Sequence, residues 1–281
     1  MMRGMFAAIS GLKQHQVMLD VTANDIANVN TIGYKSSRVT FQDSLTQMQR
    51  GAAGPTTTNG GSNAAQVGLG VGLGSIDNLM TGGAVQTTGN PLDVAIQGDG
   101  FFQVAPGNPA AGGALMTPTS FTRAGNFSIN SEGFLTTQTG QFVLGFAQPT
   151  AATPQTCAIQ VPPGATGLAI DQTGGLSYID PGTGTRTTPY RITLATFSNP
   201  SGLERTGANQ WVASANSGVK TQNTPGIAGL GVTTAGAIEM SNVDLSQTFT
   251  NMITAQRGFQ ANSRVISTAD EMLQDLVNLK R

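Results

Sequence analysis

The chain has 281 residues, 37 of them glycine, and sets 14 Lys and Arg against 15 Asp and Glu for a net charge of -1. Charged residues make up 10% of it, against roughly 25% in ordinary globular chains, and none form a basic run, which excludes nucleic acid or an anionic membrane as an electrostatic partner. One cysteine, Cys157, excludes an internal disulfide and any multi-cysteine metal site, and no stretch approaches the roughly 18 apolar residues of a membrane span.

The start MMRGMFAAISGLKQ is broken by Ser10 and Gly11, closed by Lys13 and lacks a small-residue cleavage site, so it does not read as a signal peptide. The chain is expected in the cytoplasm, or exported by a route that does not cleave it. Met5, Leu12, Leu19 and Ile26 recur every seven residues, with Ile9, Gln16 and Ala23 in a second seam register, and predict an amphipathic helix. Asn24, Asn28 and Asn30 compete for backbone hydrogen bonds and Gly33 readily takes positive φ, so the helix should end near Val29 to Gly33.

The alternation in Tyr34 to Phe41 reads as extended chain, and residues 33–67 as an extended linker region that includes the Gly/Thr-rich loop Gly51 to Ala64. From residue 68 to 240 the pattern is β. GLGVGLG sets Leu69, Val71 and Leu73 against bare glycine, and turns are expected in PLDVAIQGDGFFQV, FSINSEGFL and AIDQTGGLSYI, giving a meander or sandwich. Pro106 to Pro118 reads as a further loop.

A second helix follows, with Ser241 and Asp244 as a possible capping box. Its first register is Leu245, Met252, Phe259, Ile266 and Leu273, and its second is Phe249, Gln256, Ser263, Asp270 and Val277. Both seams are narrow. They suit either docking on the β domain or pairing of the two ends with each other and with other copies. Isolated helices with half-polar seams are marginal in water, so the ends are expected to be largely disordered in a monomer and to fold on assembly.

Reaction chemistry is not legible. His15 stands on the first helix without an evident triad, Asp93 and Asp99 fall around a turn, and the chain lacks GxGxxG, a P-loop, an EF-hand, HExxH, CxxC and GxSxG. No catalytic, cofactor or metal site is expected. With one tryptophan, Trp211, and three tyrosines, a carbohydrate-binding β-domain has little to build a platform from.

ANDIANVNTIGYK, LDVAIQGDGFFQV, FTRAGNFSINSEGFL and the ending MSNVDLSQTFTNMITAQRGFQANSRVISTADEMLQDLVNLKR together resemble the flagellar axial family of hook and rod proteins. The resemblance implies an α+β fold in which residues 1–32 and 241–281 pair as a coiled coil lining an inner tube. Residues 68–240 would form the outer layer, with no large additional outer domain in the Thr/Pro/Gly-rich span from Ala147 to Tyr190. The subunit interface would use Met5, Ile9, Leu12, Leu19, Ile26, Leu245, Phe249, Met252, Phe259, Ile266, Leu273 and Val277. Asn24, Asn28, Asn30, Gly33, Tyr34 and Lys35 would form the helix-end and linker motif.

Within the family the ending is similar to short hook members, since distal-rod members typically carry tyrosine in place of Phe259. That implies a flexible hollow helical tube joining rod to filament, with the stiff distal rod as the alternative. The partners implied are copies of the chain, rod and hook-filament junction proteins, a hook cap and the flagellar export apparatus. The location implied is the extracellular flagellum, reached without a cleaved signal peptide or membrane insertion.

Overall fold

A computed structural model describes residues 2–57, 60–107, 116–147 and 156–279. The fold is mixed α+β, two helices in contact with each other and a large central β region, and it divides into two compact units. One comprises Met1–Ala27, Ser37–Asn78 and Asp244–Arg281, the other Asn28–Ser36 and Leu79–Val243.

In the first unit, α1 (Met2–Ala27) and α2 (Leu245–Asn278) would be about 39 and 51 Å long at 1.5 Å per residue. Helix α1 stops before the expected Val29 to Gly33. The chain tightens there into a turn, with the Thr31 amide donating to the Asn28 carbonyl at 3.1 Å. Asp244, rather than Ser241, caps α2: its carboxylate accepts from the amides of Ser246 and Gln247, while the Ser241 hydroxyl accepts from Val243 one step earlier.

Residues 33–67 are not a bare linker. β1 (Ser37–Asp43) pairs antiparallel with β4 (Val71–Asn78), and β2 (Thr46–Arg50) with β3 (Ala65–Gly68), so residues 37–50 and 65–78 form a two-stranded ribbon. Unpaired extended chain leaves one N–H and one C=O per residue to water, and the glycine-rich GLGVGLG stretch supplies the missing partner strand. It therefore belongs to this unit and not to the β domain expected to begin at residue 68. Its bare face lets the ribbon close on α1. At Gly70, where φ is +127°, an added Cβ would collide with the Ser10 hydroxyl, which accepts a hydrogen bond from the Val71 amide at 3.2 Å.

In the second unit, the described strands form a 13-stranded antiparallel sheet whose main path begins at Thr166–Ile170 and ends at Glu204–Gly207. Alternation along Phe101–Ala105 feeds both faces of the sheet. Phe102 and Val104 join Leu135, Leu176 and Ile192 in one core, while Phe101 joins Phe121, Phe197 and Trp211 in another. Ring edges meet faces at Phe102–Phe127 (5.0 Å) and Phe121–Phe197 (4.8 Å).

Two of the three expected turns join paired strands: Ser128–Ile129 with Leu135–Thr136, and Thr166–Ile170 with Gly175–Ile179. The Gly-Asp-Gly turn does not. Val94–Gln97 pairs instead with Val232–Ala235, and at the end of that pairing Gly98, at φ +110°, passes so close to Gly231 that a Cβ there would lie 2.9 Å from its Cα. Of the span from Ala147 to Tyr190, residues 156–190 contribute four strands to the same sheet, Thr156–Ala158, Thr166–Ile170, Gly175–Ile179 and the start of Arg186–Ile192, and 148–155 lie outside the described residues. Most of the loop expected at Pro106 to Pro118 also lies outside them. Cys157 is buried, donates to the Gly145 carbonyl and has its thiol pKa pushed up by burial.

Candidate functional site

The two helices are antiparallel, since Gly11 abuts Asn262 while His15 abuts Gly258. Met5, Leu12, Leu19 and Ile26 are half-buried, as are Met252, Phe259, Ile266 and Leu273. The second register differs from expectation by one position in both helices. The buried or half-buried row of α1 is Ala8, His15 and Thr22, and that of α2 is Thr248, Ala255, Asn262 and Ala269. Ile9, Gln16 and Ala23 are exposed, as are Leu245, Phe249, Gln256, Ser263, Asp270 and Val277. The reading by large apolar residues took a four-residue step where the helices use a three-residue one. Close approach favours Ala, Gly and Thr in the second row, and these carry little hydropathy signal.

His15 lies between the helices, its ring edge-on to Phe41 at 5.7 Å. A methyl group at Gly258 would sit 2.5 Å from His15 Cε1 and Nε2. Alanine gains about 1 kcal/mol over glycine in a helix interior, but overpacking costs about 1–3 kcal/mol. Gly258→Ala alone should therefore destabilise the helical unit in urea titrations followed by helix ellipticity, and adding His15→Ala should reverse the effect. Stabilisation by the single change would mean that the helices do not approach here.

In the second unit three segments converge on one buried carboxylate. Glu239, at the end of strand Ala237–Glu239, is 1% exposed; its Oε1 accepts from Lys35 Nζ at 2.6 Å and the Gly83 amide at 2.9 Å, and its Oε2 from Arg123 Nη1 at 3.2 Å. Lys35 Nζ also donates to the Thr81 carbonyl at 2.7 Å. Burial lowers the Lys35 pKa, and Glu239 opposes that shift. Asn242 closes the convergence, accepting from the Ser36 amide at 2.8 Å and donating to the Leu79 carbonyl at 2.9 Å.

Beside this cluster the Arg205 guanidinium lies over the rings of Tyr34 (4.9 Å) and Trp211 (4.8 Å) and donates to the Lys35 carbonyl. The residues that carry the chain out of and back into this unit are thus fixed by ionic and cation–π contacts.

Gly33 takes φ +68°, its amide donating to the Glu239 carbonyl at 2.8 Å. Asn28 anchors the preceding turn, its side-chain carbonyl accepting from the Thr31 hydroxyl at 3.1 Å. Asn24 is exposed on the last turns of α1. Asn30 lines an open cavity of about 280 Å³ with Thr122, Thr139, Asn209 and other uncharged residues. Among the described residues no three His, Cys, Asp or Glu side chains are grouped to hold a metal ion, and no helix is long and apolar enough to cross a membrane.

Sequence reasoning named Tyr34 and Lys35 but missed Glu239, Arg123 and Arg205. For Arg123 and Glu239 the signal was scarcity: in a chain with so few charges, an Arg in FTRAG and a Glu in AIEM each stand among apolar or small neighbours and need partners when buried, whereas Arg205, next to Glu204, carries no such signal.

Paired terminal helices, a ribbon and a β unit with its entering and leaving segments clamped describe a structural subunit. Three family signatures match: "Flagella basal body rod protein" over residues 5–35, "Flagellar hook protein FlgE/F/G D1 domain" over 95–178, and "Flagellar basal body rod FlgEFG protein C-terminal" over 234–279. The flagellar basal-body rod protein FlgG of Bacillus subtilis (strain 168) is 43% identical over 100% of both chains, and that of Caulobacter vibrioides 37% identical over 99% of this chain and 100% of its own. The flagellar hook protein FlgE of Borreliella burgdorferi is 29% identical over 100% of both, in an alignment stretched to 441 positions.

The chain belongs to the flagellar hook and rod family, whose members are structural components that form homopolymeric axial structures. The preference for hook members drawn from Phe259 and its surroundings is not supported; the similarity favours rod members.

Proposed function

We propose that the chain is a subunit of the distal flagellar rod, polymerising into a stiff, hollow, straight shaft. The full-length identity of 43% to a basal-body rod protein carries this reading, against 29% and 27% to two hook proteins. In the assembly the terminal helices act as a coiled coil lining the channel, with the half-buried rows of Met5, Leu12, Met252 and Phe259 forming the seam. Open growth requires a heterologous contact, since a closed two-fold interface would end at a dimer.

The neighbours are then other axial proteins of rod and hook, and the subunit travels through the flagellar export apparatus. Electron microscopy of the concentrated protein tests the reading. Straight tubes with a central channel are expected. Curved, supercoiled tubes would return the chain to the hook, and failure to polymerise under any condition would end both readings.

A further inference from the structure

The open cavity of about 280 Å³ beside Asn30 lies wholly within the β unit, and its wall is held by hydrogen bonds already made. Ala208 and Asn209 turn between strands Glu204–Gly207 and Gln210–Val212 with φ of +50° and +58°, the left-handed pair that suits the twist of a two-residue hairpin. From that turn Asn209 Nδ2 donates to the Ile32 carbonyl at 2.9 Å, and the Asn209 carbonyl accepts from the Thr122 hydroxyl at 2.9 Å. Gln210 Nε2 donates to the Thr139 hydroxyl at 3.0 Å. Four separate stretches of chain are thereby fixed around one hollow.

Three side chains in the lining are left over. Asn30, Asn126 and Gln138 make no side-chain hydrogen bond among the described residues, and each carboxamide offers two donors and an acceptor. Beside them Ile32, Ala124 and Ala208 supply small apolar surface, and no described residue of the lining is charged or aromatic. An ionised ligand would leave water without an opposite charge to meet it, which excludes phosphates, carboxylates and ammonium groups. A flat aromatic ligand finds no ring to stack on. A peptide entering as an added strand finds no free edge, because Thr122 and Gln210 are each already paired on both sides. The chemistry left is that of a small neutral molecule whose groups both give and accept hydrogen bonds and which carries a methyl group. An acetamido sugar combines the three, in its ring hydroxyls, its secondary amide and its acetyl methyl.

We propose that this cavity binds one N-acetylhexosamine residue of a neutral glycan, with Asn30, Asn126 and Gln138 bonding its hydroxyls and amide. The site goes beyond the axial-subunit reading and does not depend on it. Its mouth is open, so the sugars on either side of the bound residue can lie in solvent. Without an aromatic face the sugar is held by hydrogen bonds rather than by stacking, and the dissociation constant for a single residue is on the order of 1 mM.

Saturation-transfer NMR on the full chain tests it, since that measurement reads binding to monomer and polymer alike. Methyl β-N-acetylglucosaminide should show saturable transfer to its acetyl methyl protons. Methyl β-glucoside, with a hydroxyl in place of the acetamide, should bind about tenfold more weakly. Asn30→Ala/Gln138→Ala should also weaken the acetamido sugar about tenfold, through two lost hydrogen bonds. Both residues are exposed and bond to nothing in the chain, so the melting temperature should not change. No saturable transfer well above the expected constant, equal binding of methyl β-glucoside, or undiminished binding by the double variant would overturn the proposal. Tighter binding of N-acetylglycine methylamide would overturn it in favour of a peptide ligand. Exclusion of tri-N-acetylchitotriose would confine the cavity to free monosaccharide and overturn the glycan reading.

Discussion

Replacing Glu239 with alanine should lower the melting temperature of the β unit by about 6–20 °C. Removing one partner of a buried ionic cluster costs about 3–5 kcal/mol because uncompensated charge stays behind, and a unit of this size loses about 2–4 °C per kcal/mol. Glu239 is the common acceptor for Lys35, Arg123 and the Gly83 amide, so its loss strands two cations and one buried donor at once. Glu239→Gln keeps an acceptor but no charge and should fall between wild type and alanine. Lys35→Met should be milder than Glu239→Ala, since Arg123 still neutralises the carboxylate and methionine fills the buried stem. Differential scanning calorimetry of the three variants orders them; a Glu239→Ala transition within 2 °C of wild type would mean that the cluster is not closed in solution.

How much was readable in advance followed the range of the interactions. The seven-residue rows Met5 to Ile26 and Met252 to Leu273 are local patterns, and they located both helices. Asn130 and Asp171 announced hairpins because each satisfies the backbone of its own turn: the Asn130 side chain accepts from the amides of Glu132 and Phe134, and that of Asp171 from Thr173 and Gly175. What failed was non-local. The partner of Val94–Gln97 lies well over a hundred residues away, and the apolar pattern of either strand gives no hint of the other. The second helix register failed for a related reason: Ala255 and Ala269 are buried although their own hydropathy signal is small, in a row set by the close approach of the two helices that Gly11–Asn262 and His15–Gly258 mark. Glu239 joins segments around residues 35, 83 and 123, so no window of the sequence contains the cluster that fixes the chain crossing.

Gly33→Ala is expected to destabilise the β unit by about 2–5 kcal/mol, through two separable effects. A left-handed residue with a side chain costs about 1–2 kcal/mol, and forcing a methyl group into filled space costs about 1–3 kcal/mol more. Both apply, because Gly33 has φ +68° and an added Cβ would lie 2.6 Å from the Ala124 nitrogen and 2.7 Å from the Arg123 carbonyl carbon. Those are backbone atoms, so no rotamer change clears them, and moving them displaces the Arg123 side chain from Glu239.

Gly89 isolates the first effect, having φ +75° and no atom within 4 Å of a built Cβ, so Gly89→Ala should lose only the conformational cost. Gly33→Asn separates them again: asparagine tolerates the left-handed region but presents the same Cβ. Chemical denaturation of the three variants decides between them. Asparagine at Gly33 should regain about the 1–2 kcal/mol conformational cost and remain destabilised by the steric one, while alanine at Gly33 should be worse than alanine at Gly89 by that same steric cost of about 1–3 kcal/mol. If asparagine restores wild-type stability, the constraint at the end of α1 is backbone conformation alone, and the close approach to Arg123 and Ala124 contributes nothing.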